Sequence, residues 1–128
     1  MARVVLALVD DLIFASRIEL EATNAGARLH RVGKVASLLE AVRGERPALV
    51  VVDLDGMGFD GVDALTQLAG EADADGVPRL AFGSHVEPER LEAARAAGAE
   101  AMARSMFVKE LGARIAAAMD KGIGAAGG

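Results

Sequence analysis

Two stretches of this chain are apolar without a polar break, and each runs into acid. Val4 to Val9 leads to Asp10-Asp11, and Ala48 to Val52 leads to Asp53. Unbroken apolar runs of this length read as strands covered on both faces, the kind found in parallel sheets between layers of helix. Between them, Leu12 to Asn24 carries Phe14, Ile18 and Ala22 at helical spacing, with Gly26 placed to cap the end. Ala27 to Val32 mixes Arg28, His30 and Arg31 with Leu29 and Val32, which suits a strand at a sheet edge. Val35, Leu38, Leu39 and Val42 fall at i, i+3, i+4 and i+7, an amphipathic helix closed by Gly44 and Pro47.

The same alternation continues beyond Asp53. A glycine-rich loop, Gly56 to Gly61, precedes a third helical stripe at Leu65, Leu68, Ala69 and Ala72, and Glu71 to Gly76 reads as an acidic loop. Pro78 opens a short strand, Leu80 to Phe82, that stops at Gly83-Ser84. Pro88 fits the first turn of a fourth helix, with Leu91, Ala94 and Ala97 on its buried side and Gly98 beyond it. Ala101 to Ala103 predicts a last strand, and Val108, Leu111, Ile115 and Met119 a last helix. Gly122 to Gly128 contains only glycine, alanine and one isoleucine and predicts a flexible tail after a domain spanning 1–121.

Strands alternating with helices predict one doubly wound α/β domain, (βα)5, with a parallel five-stranded sheet and right-handed crossovers. The two most apolar strands belong side by side at the centre and the polar second strand at an edge. The flavodoxin-like order 2-1-3-4-5 satisfies both demands. In such sheets ligands bind at the carboxyl ends of the strands, near the point where the order reverses. Asp10, Asp11 and Asp53 therefore converge on one crevice.

Composition narrows the function classes. The 128 residues suffice for one core, and a net charge of −5 argues against nonspecific nucleic-acid binding. The absence of cysteine excludes disulfides and thiolate chemistry, and two distant histidines, His30 and His85, do not suggest a zinc site. Val4 to Val9 is too short to span a membrane and ends on acid, unlike a signal peptide, so a cytoplasmic location is expected.

Three converging carboxylates repel one another unless protons or a cation neutralise them. Oxygen ligands of this kind suit Mg²⁺. An Asp carboxylate can also act as nucleophile toward a phosphoryl group. The chemistry open to the site is Mg²⁺-assisted phosphorylation of Asp53, with Asp10 and Asp11 holding the metal. The plainer reading makes Asp11 an N-cap for the first helix and Asp10 a solvated strand end.

Val9-Asp10-Asp11, Asp53, Asp60-Gly61 and Gly98-Ala99, at these spacings, resemble the receiver domain of bacterial two-component response regulators over about Arg3 to Lys121. The resemblance implies that Asp53 accepts phosphate from a histidine kinase, that Asp10 and Asp11 bind Mg²⁺, and that the backbone carbonyl of Asp55 is a further ligand. It implies a stand-alone domain in phosphorelay signalling that is not an enzyme beyond self-phosphorylation at Asp53. Its output would come through a partner protein, with a homodimer through helix 4, strand 5 and helix 5 as one form. The readout positions depart from the family pattern. Its Thr or Ser after strand four falls on Gly83, with Ser84 one residue late. Its Lys-Pro pair falls on Ser105-Met106, with Arg104 adjacent. Its aromatic switch position is Met102, and its loop proline is Met57. The chain therefore resembles an atypical receiver, with Gly83, Ser84, Arg104 and Ser105 as a degenerate phosphate-readout set.

Two alternatives use the same residues. A pseudo-receiver would bind partners independently of phosphorylation through the face of helix 4, strand 5 and helix 5. Arg90, Arg95 and Arg104 border helix 4, where a solvated charged face is expected rather than a partner surface. Asp53-Leu54-Asp55-Gly56 also resembles the D-x-D motif of haloacid-dehalogenase-type phosphatases, in which the second acid works as general acid and base. Met57 stands where that motif has Thr, and the motif normally sits on the first strand. Glu71-x-Asp73-x-Asp75-Gly76 hints at an EF-hand loop, but Phe82 stands where the closing Glu is needed, so a solvated turn is expected.

Overall fold

The computed structural model describes residues 3–127, with side chains described through Asp120. Five strands alternate with five helices: β1 (Arg3–Leu8), α1 (Leu12–Asn24), β2 (Ala27–Val32), α2 (Val35–Glu45), β3 (Leu49–Asp53), α3 (Gly61–Ala69), β4 (Arg79–Gly83), α4 (Pro88–Ala96), β5 (Glu100–Ala103) and α5 (Arg104–Gly127). All four strand pairings are parallel, and the order is β2-β1-β3-β4-β5. Every residue of β3 is buried, as its unbroken apolar run requires, whereas β2 at the edge is buried only at Ala27 and Val32.

The sheet divides the core in two. On one face Val5, Ala7, Val51 and Phe82 pack against Ile18 of α1 and Phe107, Leu111 and Ile115 of α5. On the other, Leu6, Leu8, Val50 and Val52 meet Leu38 and Val42 of α2, Leu65 and Leu68 of α3, and Leu91 and Ala94 of α4. Adjacent strand residues point to opposite faces, so each apolar run feeds both layers.

The observed elements differ from expectation in three places. The third helix ends at Ala69, and a single 3-10 turn at Ala72–Ala74 takes up the start of the acidic loop. Glu71 there pairs with Arg43. The second helix runs through Gly44 and stops where Arg46 adopts a left-handed φ of 48°. The last helix continues to Gly127, across the expected boundary at Lys121, so its backbone is helical over most of the stretch predicted to be a flexible tail. Extending a formed helix needs no new nucleus, and alanine is the best helix former.

Among the described residues no helix is long and apolar enough to cross a membrane.

Candidate functional site

The carboxyl ends of β1, β3, β4 and β5 share one edge of the sheet, and the register carries Asp53 there opposite Phe82. Asp53 is 1% exposed and is the one buried charged side chain among the described residues. Its Oδ1 accepts the backbone N–H of Asp55 at 2.9 Å. Burial pushes its carboxyl above the ordinary value, against the Asp55 N–H and the Arg104 charge, while Asp55 and Asp10 add to the rise.

The two acids after β1 have separate tasks. Asp11 is the N-cap of α1: its Oδ1 accepts the N–H groups of Ile13 at 2.9 Å and Phe14 at 3.3 Å. Asp10 reaches across the crevice, and its Oδ2 accepts the N–H groups of Met57 at 2.8 Å and Gly58 at 3.3 Å. The loop after β3 is thereby tied to the end of β1. Asp60 caps α3 by accepting the N–H of Asp63 at 3.0 Å. Gly61 follows because a Cβ there would stand 2.9 Å from the Asp53 carbonyl oxygen and 3.1 Å from Val52 Cγ1.

Arg104 brings the pocket together. As the first residue of α5, it places Nε 3.2 Å from Asp55 Oδ2, one terminal nitrogen 3.8 Å from Asp53 Oδ1, and the other 3.9 Å from Asp11 Oδ2. Its guanidinium carbon lies 5.0 Å from the ring centroid of Phe14 and 6.0 Å from that of Phe82. The rings in turn stack, Phe14 on Phe82 at 4.9 Å and Phe82 on Phe107 at 4.1 Å. A planar cation packed on ring faces and aimed at carboxylates is a geometry that arginine provides and lysine does not.

Asp55 is held from the opposite side by Arg90 of α4, which donates to Oδ1 at 2.8 Å and to the Leu54 carbonyl at 3.3 Å. The expectation that Arg90, Arg95 and Arg104 form a merely solvated charged face is corrected here. Arg90 and Arg104 turn inward to Asp55, and Arg95 donates to the Ala101 carbonyl and pairs with Glu92. Asp55 has both oxygens engaged by guanidinium groups, which leaves neither free to pass a proton as the D-x-D phosphatase reading requires. Asp53 lies on the third strand, not the first.

The remaining expected readout residues are not drawn in. Ser84 Oγ accepts the N–H of Val86 at 3.2 Å, a local turn, and Ser105 is exposed on the first turn of α5. Gly83 is buried, and a Cβ there would lie 3.6 Å from Asp55 Oδ1 and 3.2 Å from Leu54 Cβ. It borders the pocket without a hydroxyl to offer. His30 pairs with Glu45, away from the site.

A guanidinium contests the expected magnesium site. Among the described residues no three acidic or imidazole groups stand close enough together to hold a metal ion. Asp10, Asp11, Asp53 and the Asp55 carbonyl were the expected ligands. The guanidinium of Arg104 stands among the carboxylates instead, and Asp10 and Asp11 each accept two backbone N–H groups.

Arg90 and Phe14 are the site residues that sequence reasoning did not assign. The available signal was positional: Arg90 lies in the first turn after β4 and Phe14 in the first turn after β1, both at the sheet edge where Asp53 ends its strand.

This order of strands and this edge of acids define a receiver-type fold. The sequence matches no family model and no curated protein. The structure is similar to that of a candidate response regulator from Chloroflexus aurantiacus, with a TM-score of 0.80 at 21% identity, covering 94% of this chain and 99% of that one. It is similar to the receiver domain of NtrX from Brucella abortus, with a TM-score of 0.76 at 18% identity over 91% and 98% of the two chains. A CheY-like receiver domain protein from Methanospirillum hungatei gives a TM-score of 0.73 at 13% identity over 94% and 99%. The chain has the fold of a response-regulator receiver domain.

Proposed function

We propose that this chain is an atypical receiver domain that signals by protein–protein contact, with Asp53 as its phospho-acceptor. The observation that carries the reading is the burial of Asp53, the one buried carboxylate among the described residues, at the end of the central strand with a guanidinium facing it. An exposed carboxylate there would be unremarkable, but a buried charge needs a reason to persist. Asp53 Oδ1 is committed to the Asp55 N–H, which makes Oδ2 the attacking oxygen. It would form a bond to phosphorus as the bond from phosphorus to the donor's leaving oxygen or nitrogen breaks. Arg104, 3.8 Å from Oδ1 of the same carboxylate, is the cation near enough to offset negative charge as it grows on the phosphoryl oxygens. The donor would be a histidine kinase or another signalling protein, and output would use the face made by α4, β5 and α5, in a partner complex or a homodimer.

A second reading is favoured by Gly83 and Ser105, which offer the pocket neither a hydroxyl nor a lysine. In it the same face binds a partner constitutively.

Intact-mass measurement after incubation with acetyl phosphate, beside Asp53→Asn, separates the two. One added phosphoryl group on the native chain alone supports the acceptor reading. No adduct, with partner binding unchanged in Asp53→Asn, supports the constitutive one.

A further inference from the structure

We infer that Arg104 is the pocket's built-in counter-charge, standing in for a divalent cation, so that the site works without metal. The inference concerns charge balance alone and holds whether or not Asp53 accepts phosphate.

Three independent features place the cation where a metal would have to sit. First, the guanidinium comes within 4 Å of Asp11, Asp53 and Asp55 at once. No other described cation spans more than one of them; Arg90 touches Asp55 only. Second, its position is set on both sides. The backbone passes from β5 at Ala103 into α5 at Arg104 with no intervening residue, and the Phe14 and Phe82 rings back the guanidinium. Third, the acids are already engaged: Asp11 Oδ1 by the first turn of α1, Asp10 Oδ2 by the loop after β3, and Asp55 by two arginines.

Magnesium requires oxygen ligands at about 2.0–2.1 Å in near-octahedral array and sheds water reluctantly. A bound Mg²⁺ would lie beside a positive charge held within 4 Å of the same carboxylates, and like charges that close repel. It would have to displace the guanidinium from Asp53 and Asp11. Arg104 and the metal therefore compete, and removing one should admit the other.

Titration calorimetry with Mg²⁺ at constant ionic strength tests this on the native chain, Arg104→Ala and Arg104→Gln. The glutamine variant keeps a planar polar group over Phe14 should the alanine variant fail to fold. Mn²⁺-induced broadening of the Met57 and Gly58 amide resonances locates any bound ion. The expected result is no saturable binding at low millimolar Mg²⁺ in the native chain. A folded variant should bind at least roughly tenfold more tightly, a usual size for coupling between two ligands of one site. Adding Asp53→Asn should remove that gain. Native binding as tight as that of the variants would overturn the inference, as would folded variants that gain nothing. Neither result depends on phosphorylation, which the acetyl phosphate experiment reports separately.

Discussion

Asp10 Oδ2 accepts the backbone N–H of Met57 at 2.8 Å, joining residues 47 positions apart in the chain. This contact, shared with Gly58, fixes the loop after β3 against the end of β1. Asp10→Ala should lower stability by about 1 kcal/mol, the usual net worth of such bonds at a partly solvated site. Asp10→Asn, which keeps an acceptor oxygen, should lose less. Amide exchange of Met57 and Gly58 reads the loop directly and should quicken in the alanine variant.

The raised carboxyl of Asp53 makes stability depend on pH in a defined direction. A carboxyl whose folded value exceeds its unfolded one keeps its proton longer in the native state. The associated stability is therefore present at low pH and lost as pH rises through the folded value. Asp53→Asn cannot ionise and still offers Oδ1 to the Asp55 N–H. It should be more stable than the native chain at neutral pH, with the advantage shrinking as pH falls through the raised folded value and gone below the ordinary aspartate value. Urea midpoints across that range give the comparison.

Gly61 and Gly83 flank Asp53 but should answer differently to a side chain. At Gly61 the added Cβ meets backbone, the Asp53 carbonyl oxygen at 2.9 Å, and backbone cannot yield cheaply. Gly61→Ala should destabilise by about 1–3 kcal/mol, as overpacking does. At Gly83 the tightest neighbour is the Leu54 side chain at 3.2 Å, which can shift by a few tenths of an ångström. Gly83→Ser should change stability by no more than about 1.5 kcal/mol. Denaturant midpoints for the pair test the contrast.

Phe14 supports both the aromatic stack and the cation above it. Phe14→Leu keeps apolar volume but loses the face beneath Arg104, which should lower stability by about 0.5–1 kcal/mol. Phe14→Ala should lower it further, by about 2 kcal/mol, less than the full loss at a core phenylalanine because Phe14 is half-buried. Thermal unfolding of the two variants separates the contributions.

The frame of this molecule was legible because its strongest signals are local. Val4–Val9 and Ala48–Val52 read as doubly covered strands from composition alone, and Arg28, His30 and Arg31 sent β2 to an edge. With the order settled by those two facts, the meeting of Asp10, Asp11 and Asp53 followed. What the pattern did not yield was the partners of those acids. Arg90 and Arg104 share their helices with Arg95 and Arg114, which pair with Glu92 and Glu100 instead, and no periodicity tells a pocket-reaching arginine from one paired elsewhere. That distinction rests on the Phe14–Phe82 platform and on Asp55, contacts between residues 35 to 90 positions apart. The helical course of α5 beyond Lys121 escaped for another reason: composition rich in glycine and alanine suits both a loose tail and a helix already begun.

The direct passage from Ala103 into Arg104 has one more consequence. A helix start carries partial positive charge from its unpaired N–H groups, so an arginine is an unfavourable first residue. Here the carboxylates of Asp11, Asp53 and Asp55 lie within 4 Å of that arginine's guanidinium and offset its charge. The first turn of α5 and the charge state of the pocket thus form one thermodynamic unit. Whatever alters the negative charge at Asp53 alters the propensity of that turn to stay wound. A change at a single oxygen would then be felt along the helix axis without any loop having to move.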